Sequence, residues 1–334
     1  MKWPSKSLHY AKSISALSGV GTLLLFVLLI FSIFAKPINS HQLPARPNNQ
    51  GEIQDTIKIN VDLVVLHASV QTSERLPVSG LSKEDFQVYE DGALQQIESF
   101  SHGDIPVTVG LVIDNSGSMR PKRTEVIAAA MAFAHASNAK DQMFVVNFNE
   151  RVFFGLPANT DFTNSATQLE IALSRFAAEG MTALYDAAAA ALEHLKKGNR
   201  DKKVLILISD GGDNASRRKM AEVMTLAKQS DVIIYTIGIF DKDDMDRNPR
   251  VLKQLAKATG GEAFLPEFVK EIVPICERIA RDIRNQYTLS YAPTNLTYDG
   301  KYRVIQVKAR QPGQERLVVR TRAGYFAPLK PSPE

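Results

Sequence analysis

One cysteine among 334 residues, Cys276, excludes an intrachain disulfide. It falls in the stretch from Glu271 to Arg281, whose apolar positions share one helical face, so it reads as a small buried hydrophobe rather than a reactive thiol. The six histidines are scattered, and no His-Glu-x-x-His helix exists to hold a catalytic zinc. The chain has no Gly-x-Ser-x-Gly elbow and no Gly-x-x-x-x-Gly-Lys loop, so nucleophile-elbow hydrolysis and P-loop chemistry lack their parts. The net charge of +4 is mild. Its lysines and arginines form no stripe with interleaved aromatics, which argues against a nucleic-acid partner. The tightest basic cluster, Arg217-Arg218-Lys219, reads as a solvated helix start.

A long apolar run is present at the N-terminus. Lys2, Lys6 and Lys12 precede an almost uncharged stretch from Ile14 to Ala35, long enough to span a bilayer as a helix. The leading lysines favour a cytoplasmic N-terminus. If Ala35 were the residue before a cleavage site, Ile33 would be a poor −3 residue, so an uncleaved signal anchor is expected. The expectation is a single-pass cell-membrane protein with its C-terminal domains outside the cytoplasm, or a secreted one if the signal is cut.

Residues 36–56, rich in Pro, Asn and Gln, read as a linker. From Ile57 the alternation of apolar and polar residues predicts a half-buried strand. Phe86-Gln-Val-Tyr-Glu-Asp-Gly predicts a strand entering a turn, with Gln95–Phe100 returning as its hairpin partner. The central block alternates. Strands are predicted near 107–113, 142–148, 151–155, 204–209 and 232–239, and helices near 121–138, 164–177, 183–197, 217–229, 249–258 and 267–284. Such alternation predicts an α/β, doubly wound, mostly parallel sheet. The pair Phe144–Phe148 and Val152–Phe154 predicts an antiparallel edge hairpin. After residue 285 short alternating strands return. Neither β block suffices for its own core, so both are expected to form one smaller, sandwich-like β domain interrupted by the α/β insertion.

The richest segment is Val109-Gly-Leu-Val-Ile-Asp-Asn-Ser-Gly-Ser-Met119. A buried parallel strand ends at Asp114, and Ser116 and Ser118 follow on the loop leaving its carboxyl end, where open α/β sheets bind ligands. One carboxylate with two neutral oxygens is a hard donor set suited to Mg²⁺. Two further segments join it: Lys203-Val-Leu-Ile-Leu-Ile-Ser-Asp210, another strand ending in an acid, and Gly180-Met-Thr182, which precedes an alanine-rich helix. An aspartyl-phosphate phosphatase would want a second acid where Ser116 stands. Asp244-Met-Asp-Arg-Asn248 mimics a calcium loop, but Pro249 and Leu255 occupy the positions that need Gly and Glu. Asp213 is expected to cap or orient the loop after Asp210, and Asp186 to lie one turn into a helix.

Asp114, Ser116, Ser118, Thr182 and Asp210 together resemble the metal-ion-dependent adhesion site of von Willebrand factor A domains, over about residues 105–285. The wider chain, through Gly80-Leu-Ser-Lys-Glu-Asp-Phe, Gln286-Tyr-Thr-Leu-Ser-Tyr and Gly324-Tyr-Phe, resembles the bacterial VWFA-related Acidobacterial domain family. The resemblance implies that the hydroxyls of the two Ser and Thr182 coordinate Mg²⁺, with Mn²⁺ and Ca²⁺ as alternatives, while the two Asp act largely through water. It also implies that a partner protein supplies an Asp or Glu. The expected organisation is a signal anchor (1–35), a linker (36–56), a β domain in two parts (57–104 and 286–327) around a von Willebrand A domain (105–285), and a tail (328–334). The expected role is a membrane-anchored, non-enzymatic binding module. The alternative is a structural subunit of a cell-envelope assembly, with the metal only stabilising the loops.

Overall fold

Eight consecutive buried residues, Val107–Asp114, form the strand around which the larger part of the molecule is organised. The protein, a computed structural model, is described over residues 63–240, 247–311, 313 and 316–329, all within the unit 59–334. In chain order the strands are β1 (Val64–Gln71), β2 (Phe86–Glu90), β3 (Ala93–Gln95), β4 (Ile97–His102), β5 (Val107–Asp114), β6 (Gln142–Phe148), β7 (Val152–Phe154), β8 (Lys202–Ser209), β9 (Val232–Gly238), β10 (Ala263–Phe264), β11 (Tyr287–Tyr291), β12 (Tyr302–Ala309), β13 (Val318–Arg320) and β14 (Gly324–Phe326). The helices are α1 (Arg123–Ala136), α2 (Ala166–Ser174), α3 (Leu184–Leu195), α4 (Met220–Gln229), α5 (Pro249–Thr259) and α6 (Ile272–Arg284).

The central sheet has the order β10-β9-β8-β5-β6-β7. All its pairings are parallel except β6 with β7, the expected edge hairpin. Helix α1 packs on α2 and α6, while α4 packs on α3 and α5, the two layers of a doubly wound sheet. Burial on both faces explains why β5, β8 and β9 are apolar runs without alternation. The expected α/β class is borne out.

Two further sheets, β13-β1-β11-β4 and β14-β12-β2-β3, are antiparallel. Both draw strands from before and after the α/β part. They share a core in which Leu66 and Leu289 meet Phe86, Val88 and Val307. β12 alternates strictly between buried and more exposed positions, as a sheet with one solvated face must.

Three details differ from the pattern read in the sequence. The segment after the Asp91-Gly92 turn returns beside β2 only as β3; beyond Gln96 it becomes β4 and joins β11 in the other sheet. Helix α6 begins at Ile272, which places Pro274 in its first turn, where a missing N–H costs nothing. Helix α4 starts at Met220, because the backbone N–H groups of Arg217 and Arg218 donate to the Asp186 carboxylate, each at 3.0 Å.

The expected single-pass membrane location is corrected. Among the described residues no helix is long and apolar enough to cross a membrane. The longest, α1, has 14 residues and spans roughly 21 Å of the ~30 Å needed. The stretch Ile14–Ala35, the linker and Ile57–Asp62 lie outside the described residues, as does the acidic segment 241–246.

Candidate metal centre

The strand order reverses direction at β5, which has β6 on one side and β8 on the other. The carboxyl ends of β5 and β8 therefore open onto a crevice, the place where doubly wound sheets bind ligands. Asp114 ends β5, and Asp210 follows β8 directly. Gly211 turns the chain away at φ +79°, and a Cβ there would stand 2.5 Å from the Asn248 carbonyl oxygen. Only glycine fits that turn.

Four of the five predicted residues are linked by direct hydrogen bonds. The Ser116 N–H donates to Asp114 Oδ1 at 2.8 Å. Ser116 Oγ and Ser118 Oγ are 3.1 Å apart. Ser118 Oγ donates to Asp210 Oδ2 at 2.6 Å. Thr182 reaches the cluster through its loop: Gly117 N–H donates to the Gly180 carbonyl at 3.1 Å, and the Asn214 and Ala215 N–H groups donate to the Thr182 carbonyl. All but Ser118 are buried, Asp114 to 1% exposure.

Burial and the neighbouring Asp210 charge push the Asp114 carboxyl up to about 6, against the hydrogen bonds from Ser116 and Ser209 that favour its ionised form. Two acids thus share a dry space with hydroxyl oxygens between them. Because Ser118 gives its proton to Asp210, it accepts from Ser116 Oγ, and one lone pair of its oxygen remains available to a cation. Among the described residues no group of three or more His, Cys, Asp or Glu side chains is placed to hold a metal. The donors here are two carboxylates and three hydroxyls, a chemistry that fits Mg²⁺, Mn²⁺ or Ca²⁺ and not a thiolate- or imidazole-bound ion.

Several supporting residues were not singled out in the sequence. Ser209 Oγ donates to Asp114 Oδ2 at 2.6 Å. Asn214 Oδ1 accepts the Thr182 N–H at 2.8 Å. Asn115 Nδ2 donates to Asn147 Oδ1 at 2.9 Å, and Arg123 donates to Asn115 Oδ1. Asn147 carried a signal: an amide inside the apolar run Phe144–Phe148 needs buried partners. Asp213 caps the start of α3, accepting from the Tyr185 N–H at 3.2 Å and from Ser216 Oγ at 2.6 Å. Cys276 is buried, and desolvation pushes its thiol up to about 12, as befits an inert core residue.

The family model of the von Willebrand factor type A domain matches residues 108–271. An uncharacterised protein of the cyanobacterium Synechocystis is 28% identical over 163 residues, which cover 47% of this chain and 37% of that protein. The match therefore spans well under half the length of this curated relative. A von Willebrand factor type A structure from Catenulispora acidiphila is similar at 15% identity, with a TM-score of 0.49 over 82% of this chain and 76% of that one. The manganese-loaded TRAP protein of Plasmodium vivax is similar at 15% identity, with a TM-score of 0.43 over 71% of this chain and 97% of that one. Residues 108–271 of this chain are thus a von Willebrand factor type A domain.

Proposed function

We propose that Asp114, Ser116, Ser118, Thr182 and Asp210 hold a divalent ion, Mg²⁺ first, and that the ion captures an Asp or Glu of a partner protein. Von Willebrand A domains typically mediate protein–protein interaction, mostly without catalysis, and a binding role without enzymatic activity is the reading adopted for this chain. The carrying observation is the buried Asp114–Asp210 pair joined through the Ser116 N–H and the Ser116 and Ser118 hydroxyls at the ends of two adjacent parallel strands. A divalent ion supplies the positive charge that offsets this repulsion. With only two carboxylates around it, it keeps the power to attract a third. Ser209 and Asn214 hold Asp114 and Thr182 in place, and the glycine turn at 211 brings Asp210 in from the side.

The chain's organisation is part of the same proposal: residues 57–104 and 286–327 as one β domain, with 105–285 inserted. The mixed origin of the strands in both antiparallel sheets supports it.

Calorimetric titration with Mg²⁺ tests the site. Wild-type protein should bind the ion reversibly, and Asp114→Ala should abolish the heat while the circular dichroism spectrum stays unchanged. Equal binding by both proteins would reject the assignment. A second reading, a structural subunit in which the ion only fastens the loops, is favoured by the bonds that already join the 115–118, 179–182 and 210–215 loops. Under that reading chelation lowers stability but leaves partner affinity unchanged.

A further inference from the structure

The rim of the candidate centre carries charges that the five candidate ligands leave unused. Thr182 ends a loop, residues 178–182, that two neighbouring turns hold from either side. From the turn between β6 and β7, the Asn149 carbonyl accepts the Ala183 N–H at 2.7 Å, and Glu150 Oε2 accepts the Met181 N–H at 3.3 Å. From the turn that follows Ser118, Arg120 Nε donates to the Ala178 carbonyl at 2.9 Å. Gly180 turns the loop at φ +81°, and a Cβ there would lie 1.9 Å from Glu150 Oε2. The absent side chain is what lets the carboxylate rest on the loop, one residue before Thr182.

Two opposite charges are thus fixed beside the centre, and both residues are exposed. Among the described residues Glu150 has no basic partner, not even Arg151 beside it in the turn, and its one hydrogen bond is the one to Met181.

An acid at this place works against the capture of another acid. A partner carboxylate that reaches the ion comes into the range of Glu150, and like charges repel more strongly as the interface dries. A Lys or Arg close to that carboxylate reverses the sign. The base pairs with Glu150, while the acid meets the ion with Arg120 on the same rim. Met181, 54% exposed on this loop, offers a flexible apolar surface to the chain between them. Three residues of extended chain span about 10 Å, enough to run from the ion to a carboxylate held one residue from Thr182.

On the capture reading given above, we infer that the partner's recognition segment is dipolar: an Asp or Glu for the ion and, within about three positions of it, a Lys or Arg for Glu150. A purely acidic segment is a poorer match, because it sets a second negative charge against Glu150.

The test exposes the full chain, in Mg²⁺, to a phage library of random peptides about twelve residues long, elutes with EDTA after one round and sequences the eluate. Wild type should return peptides enriched in Asp or Glu. A Lys or Arg within about three positions of that acid should be about two- to fivefold more frequent than in the input library, the factor an exposed ion pair supplies. Glu150→Gln keeps an acceptor for the Met181 N–H and loses only the charge, so the excess of bases should vanish. Glu150→Lys should replace it with an excess of second acids. Acid-bearing peptides without a neighbouring base, or the same excess of bases from Glu150→Gln, would overturn the inference and leave the capture reading standing. An eluate with no enrichment in acid would overturn the capture reading, and this inference with it.

Discussion

Asp114 carries a carboxyl raised to about 6 from an ordinary 3.8, first by burial and then by Asp210. The sign of the consequence depends on the ion. Without metal, the folded protein holds a proton there more tightly than the unfolded chain does. Its stability should therefore fall as pH rises from about 4 to about 6, by on the order of 3 kcal/mol. Proton and ion compete for the same oxygens, so Mg²⁺ affinity should drop by up to roughly tenfold per unit as pH falls below about 6. Calorimetry at pH 5, 6 and 7.5 checks this, and a flat profile would count against ligation by Asp114. Asp114, Ser116, Ser118 and Asp210 are legible where apolar runs end in acid and hydroxyl side chains, whereas Thr182, before a helix, joins them only through the resemblance to von Willebrand factor A domains. Ser209 is not legible: a serine beside an aspartate in sequence says nothing about which acid its hydroxyl faces. In a parallel sheet it turns toward the neighbouring strand's Asp114.

At the level of elements, the runs that became β5, β6, β8 and β9 were readable because burial on both faces leaves no polar position to confuse the pattern. Their boundaries were less readable where a distant side chain decided them. Helix α4 could have begun at Arg217 on composition alone, but Asp186, 31 positions earlier, takes that residue's N–H. Asp186→Ala should remove both acceptor bonds to the turn and cost about 1–3 kcal/mol, measured as a shift in the urea midpoint. Asp186→Asn, which keeps one acceptor oxygen, should recover part of the loss. The change of sheet at Gln96 was likewise hidden. No turn residue separates Ala93–Gln95 from Ile97–His102, and only the positions of β2 and β11 determine which partner each takes.

At the level of the whole molecule, the β sheets and the α/β part meet closely. Arg320 donates to Asp282 of α6 at 2.9 Å and lies 3.2 Å from Glu262, while the Tyr235 hydroxyl donates to the same Asp282 carboxylate at 2.6 Å. Gly260 ends α5 at φ +81°, and a Cβ there would come within 2.3 Å of the Thr321 carbonyl carbon. Gly260→Ala combines backbone strain with a clash against main chain that cannot swing aside, so a loss of about 2 kcal/mol or more is expected in chemical denaturation. Deleting residues 286–327 should strip β1 of both neighbours and abolish hydrogen-exchange protection across 64–71. Unchanged protection there would refute the split β domain. The sequence announced two incomplete β blocks but could not say how they interleave, because antiparallel partners leave no mark in each other's pattern. That interleaving also sets a timetable. β1 carries Val64, Leu66, Ala68 and Val70 into the core, yet a contact such as His67 with Thr288 spans 221 positions. On the ribosome, β1 emerges long before β11 or β13 exists, while the whole central sheet can be completed in between. Through most of synthesis the nascent chain therefore holds out an apolar strand with both edges open, the kind of surface that chaperones cover.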